Sequence, residues 1–163
     1  MPADTSARIA VRAVRREDHD QWLPLWHAYN IFYGRRGEPP VEPAVTAATW
    51  DRFFADGEPL WALVAEDTGA GSGKGRLLGF THYLFHLGTN HVAPVCYLED
   101  LFTAEAARGR GAGRALIEAV AEAARAAGAA RLYWLTQEHN ATARRLYDAV
   151  AVKSDFIVYD KAL

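Results

Sequence analysis

The sequence predicts an α/β domain in which a mixed sheet carries helices on its faces. Three observations predict it. Short apolar segments, some with period-two alternation, recur along the chain and mark strands. Between them, apolar residues at three- and four-residue spacing mark amphipathic helices. The order reads β-α-α-β-β-β-α-β-α-β, long β stretches followed by alternating β and α. The 163 residues fit one domain over 1–163, and a chain half hydrophobic and 23% charged has an ordinary globular balance.

Met1 to Ala7 reads as a frayed terminus. Arg8 to Val14 alternates apolar and polar, the mark of a half-buried strand. Trp22, Leu25, Trp26 and Tyr29 recur at helical spacing and predict a helix over 16–32. The Gly- and Pro-rich loop Gly34 to Pro40 ends it, and a short helix over 46–55 closes at Asp56-Gly57. Leu60 to Glu66 and Arg76 to Phe85 form a hairpin across the loop Thr68 to Gly75. Val95 to Thr103 is a strand. A helix over 111–127 follows, with Leu116, Val120, Ala123 and Ala127 on its buried stripe and Gly128 as its stop. Arg131 to Thr136 is a strand, Asn140 to Val150 a helix, and Phe156 to Tyr159 a last strand.

The bulk properties bound the function. A net charge of −2 leaves no footprint for nucleic-acid binding. One cysteine excludes an internal disulfide framework and suits a reducing, cytoplasmic setting. No apolar run reaches membrane-spanning length. His82 and His86 are four apart, but on a strand that spans roughly 13 Å, too far for one ion. Glu138-His139 lacks the second histidine of a zinc helix. No metal is expected. Cys96 reads as a buried strand thiol rather than a nucleophile.

The most informative segment is Arg108-Gly109-Arg110-Gly111-Ala112-Gly113. It joins a strand to a helix. Closely spaced glycines there allow a tight turn and leave backbone N–H groups uncovered. With the helix dipole, and with Arg108, Arg110 and Arg114, these suit a phosphate-bearing ligand. A bare glycine turn with solvated arginines is the alternative, so the flanking residues decide. Gly71 to Gly75 is no phosphate loop, because Gly75 follows Lys74 where Ser or Thr is needed. A dinucleotide fingerprint also fails, since Arg114 stands where its last glycine belongs.

The flanks resemble the GNAT superfamily of N-acetyltransferases over most of the chain. The turn is similar to that family's Gln/Arg-x-x-Gly-x-Gly/Ala pattern. Tyr97-Leu98-Glu99-Asp100-Leu101-Phe102-Thr103 resembles the polyamine (diamine) acetyltransferase branch. Asn140-x-x-Ala143-x-x-x-Tyr147 resembles the family's second cofactor segment, and Phe156 to Tyr159 is similar to histone and polyamine acetyltransferase relatives. One departure stands at Val150-Ala151-Val152, where many members place a glycine.

The resemblance implies a mostly antiparallel sheet with a V-shaped splay, acetyl-CoA as cofactor and a homodimer. The pyrophosphate would lie on the N–H groups of Gly109 to Arg114, the pantetheine arm along Leu101, Phe102 and Thr103, and Asn140 beside the cofactor. The activity implied is acetyl transfer to a primary amine by direct attack in a ternary complex. The amine is a polyamine, a lysine-like small amine or a protein lysine. The alternative is a binding module that senses acetyl-CoA or CoA without chemistry.

Such a transfer needs a base for the ammonium, a donor to the developing oxyanion and an acid for the leaving thiolate. The resemblance gives Glu99 the base role, through a water; simple attraction of a cationic substrate is its other reading. Strand parity puts Tyr97, Glu99 and Leu101 on one face and Cys96, Leu98 and Asp100 on the other, unless a bulge intervenes. Tyr147 is the implied acid, seven residues and two helical turns from Asn140; spacing alone reads it as a core tyrosine. The resemblance also implies a backbone N–H near Leu101 as the oxyanion donor. Tyr29, Tyr33 and Glu38 are candidates for the amine, since aromatic and acidic groups suit a cation. Core packing for Tyr29 and a solvated rim for Glu38 are the competing readings.

Overall fold

The computed structural model describes residues 9–69 and 75–163. The expected frayed terminus, and the turn at Gly71 to Lys74, lie outside them. Strand β1 (Ile9–Ala13) leads through a 3-10 turn (Arg16–Asp18) into helix α1 (His19–Phe32). Helix α2 (Pro43–Arg52) begins three residues earlier than the sequence suggests, with Pro43 in the first turn. There the missing N–H costs nothing and the fixed φ suits the helix. Strands β2 (Leu60–Asp67), β3 (Arg76–His86) and β4 (Val95–Thr103) follow, then α3 (Ala112–Ala126), β5 (Arg131–Tyr133) and α4 (Ala141–Val150).

The five strands form one sheet in chain order, with β1 to β4 antiparallel and β5 parallel to β4. This is the expected mixed, mostly antiparallel sheet. Helices cover both faces. Trp22, Trp26 and Tyr29 of α1 and Trp50 of α2 pack on Val64 and Phe80. Ile117, Val120 and Ala124 of α3 pack on Tyr83, Cys96 and Leu98. The buried stripe of α3 is Ala112, Leu116, Ile117, Val120 and Ala124; Ala127, expected on it, is exposed just past the helix end. Burial makes Cys96 an inert thiol, with its pKa pushed up to about 11.

Two features of β4 position the site. Its pairing with β5 covers only Val95, Cys96 and Tyr97. Because β5 stops at Tyr133, short of the expected Thr136, β4 runs on alone on that side from Leu98 to Thr103. This is the splay. Second, the β3–β4 register slips, with His82 opposite Asp100 but Tyr83 opposite Leu98. Glu99 is the extra residue of a β-bulge.

The bulge corrects the parity expected for β4. Leu98 and Leu101 both pack on the α3 side, while Phe102 packs against the α1 core and Asp100 bonds His82. An inserted residue reverses the alternation beyond it.

The expected last strand does not form. Phe156 to Tyr159 are described but make no ladder, and they are 59–89% exposed. The reason lies at the end of α4. Ala151 leaves the helix in an extended conformation (φ −149°, ψ 178°) rather than the left-handed one a glycine would adopt. The chain therefore runs off instead of folding back onto β5.

Candidate active site

The glycine turn is built as its sequence suggests. Gly109 (φ 75°) and Gly111 (φ 86°) take left-handed backbone that other residues avoid. Gly111 caps α3 without any side-chain hydrogen bond, so the first N–H groups of the helix await an acceptor. They face a cavity of about 430 Å³. Arg108, Gly109, Gly111, Ala112, Gly113 and Arg114 line one wall, Leu101, Phe102 and Thr103 the floor, and Asn140 and Tyr147 the far wall. A Cβ on Gly113 would stand 3.3 Å from Leu146 Cδ2 and 3.6 Å from Thr103 Oγ1, narrowing the cavity where strand and helices meet.

Arg110 departs from its expected place. Its guanidinium is turned onto Asp67 Oδ2 at 2.7 Å and does not line the cavity. Asp67 ends β2, so this pair ties the turn to the sheet. The pairing holds the Asp67 carboxyl below its ordinary value. Arg110 thus shapes the turn, while Arg108 and Arg114 supply the charge at the mouth.

Asn140 caps α4: its Oδ1 accepts from Ala143 N at 3.4 Å and its Nδ2 donates to Thr136 Oγ1 at 3.3 Å. Tyr147 packs edge-on to Trp134, with ring centroids 5.4 Å apart. Its phenol is pushed up to about 12, chiefly by burial and then by nearby Tyr33. It therefore carries its proton throughout the neutral range. Tyr33 lines the same cavity, with its pKa raised by burial.

Glu99 lies outside the cavity lining, exposed on the bulge two residues before Leu101. Its carboxyl is nevertheless raised, first by desolvation against neighbouring protein atoms and then by the charge of Asp100. Tyr97, beside it, is pushed up to about 12 by burial and by Glu99. Tyr97 also stacks on Tyr133 at 4.9 Å. Tyr29 is buried in the α1 core, and its pKa is strongly raised, first by burial and then by the nearby Asp100 carboxylate. The core-packing reading of Tyr29 describes its ring, which is buried among Trp26, Tyr33 and Phe80. Glu38 is exposed on the loop after α1 and joins neither the cavity nor this cluster.

Sequence reasoning missed Asp100 and His82. His82 Nδ1 lies 2.8 Å from Asp100 Oδ2, and Trp22 Nε1 donates to His82 Nε2 at 3.2 Å. The signal available was the Glu-Asp pair in β4, whose second member was assigned to the other face.

No described helix is long and apolar enough to cross a membrane. Among the described residues no three His, Cys, Asp or Glu side chains gather into a metal-binding group.

Known proteins resemble this chain in sequence and in fold. The family described as Acetyltransferase (GNAT) matches residues 19–151. The chain is 38% identical to the D-amino-acid N-acetyltransferase HPA3 of Saccharomyces cerevisiae over 94% of its own length and 91% of that protein. It is 27% identical to an uncharacterized N-acetyltransferase of Bacillus subtilis, covering 89% and 90% of the two chains. The aminoglycoside N-acetyltransferase AAC(6')-Iy, solved in complex with CoA, shares the fold at a TM-score of 0.74 and 17% identity, with 99% and 98% covered. The splayed β4, the uncapped start of α3 and the tyrosine of α4 thus sit in a known frame, and the chain belongs to the GNAT family of acetyltransferases, whose acetyl donor is acetyl-CoA.

Proposed function

We propose that this single domain N-acetylates a small primary amine, with acetyl-CoA and amine bound together and the amine attacking directly. One observation carries the reading. The stretch of β4 beyond its pairing with β5 runs from beside the Glu99 carboxylate to Thr103, which lines the same cavity as the glycine turn. One strand thus joins an anionic site for an ammonium to an anion site for a pyrophosphate.

The residues present fit acetyl-CoA. The N–H groups of Gly109 to Arg114 and the charges of Arg108 and Arg114 would hold its pyrophosphate. The open edge of Leu101, Phe102 and Thr103 would pair with its amides as an added strand, and Asn140 frames the opposite wall. When bound, acetyl-CoA supplies the acetyl group as an activated thioester.

Glu99 takes the proton from the ammonium, directly or through water, because only the free amine is a nucleophile. Its raised pKa brings it nearer the operating pH. A backbone N–H near Leu101 faces the charge developing on the acetyl oxygen. Tyr147 protonates the departing sulfur. Tyr29, Tyr33 and Tyr97, with Glu99 and Asp100, surround the acceptor with phenols and negative charge, which favours a compact cation.

We rank amino acids first among acceptors, ahead of polyamines and protein lysines; the likeness to HPA3, a D-amino-acid N-acetyltransferase, supports that order. A thiol-release assay over D- and L-amino acids, polyamines and a lysine-bearing peptide tests this. Turnover is expected with at least one small amine. Tight acetyl-CoA binding without turnover on any amine would leave a CoA sensor. Turnover on the peptide alone would shift the acceptor to protein lysine.

The same reading places the enzyme in the cytoplasm as a homodimer. Val152, Phe156, Ile157, Val158 and Tyr159 are exposed, and β5 has no strand on its outer edge among the described residues. A second copy offers both a strand for that edge and an apolar cover for the tail. Light scattering should give twice the chain mass; a monomer at micromolar concentration refutes the dimer.

A further inference from the structure

His82 is 1% exposed and sits among the rings of Trp22, Trp26, Phe53 and Phe80. Packing alone asks for an apolar side chain there, because a buried imidazole is costly unless its nitrogens are partnered. Both are partnered. An indole N–H can only donate, so Trp22 requires a lone pair on His82 Nε2. The ring proton is therefore on Nδ1, and Nδ1–H donates to Asp100 Oδ2 at 2.8 Å. The Asp100 carboxylate also acts on the Tyr29 phenol, whose pKa it helps burial to raise. The Asp100 side chain is 13% exposed, so the chain of bonds runs from the core to the edge of the acceptor site. It arrives at the bulge, where Glu99 is the next residue.

We propose that His82 is a positioning residue for acetyl transfer: through Nδ1–H it fixes Asp100 at the bulge, and Asp100 in turn keeps its charge beside Glu99. The proposal rests on Glu99 serving as the base. The groups facing this pair of carboxyls are Tyr29 and Tyr33 from α1, His82 from β3 and Tyr97 from β4, with Tyr133 of β5 stacked behind Tyr97. A fixed negative charge next to Glu99 makes it hold its proton more tightly. Loss or displacement of that charge lets Glu99 ionise at lower pH.

The test follows the Glu99 carboxyl carbon by NMR on glutamate-labelled protein, assigned with Glu99→Gln, alongside the pH profile of kcat/KM. Asp100→Asn should lower the Glu99 midpoint by about half a unit to two units. His82→Leu should move it the same way, and His82→Leu with Asp100→Asn should match Asp100→Asn alone. His82→Asn, whose amide nitrogen replaces Nδ1, should keep the original midpoint. His82→Gln, whose nitrogen replaces Nε2, should not. These two amide variants carry the comparison if His82→Leu does not fold. An unmoved midpoint in a folded His82→Leu or His82→Gln protein overturns the proposal. A moved midpoint without a moved acid limb of kcat/KM keeps the proton linkage but removes Glu99 as the base.

Discussion

Tyr147→Phe removes one oxygen and little else. The ring keeps its edge-on contact with Trp134, so the variant should fold and melt like the parent. The loss falls on proton transfer. Burial pushes the phenol up to about 12, whereas an ordinary thiol titrates near about 8.5. Full transfer from phenol to free thiolate is therefore uphill by about 5 kcal/mol. Tyr147 is thus no reservoir of loosely held protons. In the proposed acid role it gives its proton only as the carbon–sulfur bond breaks and charge gathers on sulfur, and the proton released by the amine restores it.

Removal of such an acid lowers kcat by about 10²- to 10⁴-fold. KM for the amine should stay nearly unchanged, because the hydroxyl acts on the leaving group. The assay is thiol release under saturating acetyl-CoA, repeated from pH 6 to pH 11. A phenol near 12 is protonated across this range, so the parent should show no falling alkaline limb that belongs to Tyr147. Unchanged kcat in Tyr147→Phe refutes the acid role. An alkaline limb below pH 10 that vanishes in the variant refutes the idea that burial holds the proton in place.

Glu99→Gln should lower kcat/KM by about 10²-fold or more; a base at Glu99 works as the carboxylate, and its pKa is raised, so the parent should lose activity as pH falls through that raised value, and the variant should lack this limb. Asp67→Asn should weaken acetyl-CoA binding a few-fold in calorimetry although Asp67 touches no cavity wall, because it frees Arg110 and with it the glycine turn; an unchanged Kd would make the pair ornamental. That tie persists through the neutral range and fails only as pH drops through the lowered Asp67 value. Gly79→Ala should destabilise the fold by about 3 kcal/mol. Its Cβ would collide with the Phe102 carbonyl oxygen and come within 3.1 Å of Thr103 Cα, forcing β3 from β4. A drop in Tm of about 6–12 °C is expected, and an unchanged melt refutes the close approach.

The parts of the fold that were legible in the sequence are those decided locally. The glycine turn is one: its left-handed backbone and the uncapped helix start are properties of six consecutive residues. The helices were legible because their apolar spacing is internal to each. Phe156 to Tyr159 show the limit. The segment has the apolar, β-branched and aromatic character of a strand, but strand formation needs a partner edge, and Ala151 sends the chain away from β5. Its pattern correctly reports a surface that wants covering and says nothing about which chain covers it.

The acceptor end was legible only in part, and the reason is the bulge. Counting by twos along β4 puts Asp100 with Cys96 and Leu98, on the side away from Glu99. The register instead inserts Glu99 as an extra residue, and from there Asp100 and Phe102 face α1. Nothing in the composition of Leu98-Glu99-Asp100 announces the insertion; it is a property of the pairing with β3. The same pairing joins Asp100 to His82, 18 positions away. His82 and His86 stand too far apart on one strand to share an ion, and the true partner of His82 lies across a strand pair. A single inserted residue therefore does two things. It lifts Glu99 into solvent, where a substrate can reach it, and it rotates a second carboxylate into a buried hydrogen-bond chain beside it. An ordinary ladder would put the two on opposite faces of the sheet, away from the arrangement in which the Asp100 charge raises the proton affinity of Glu99.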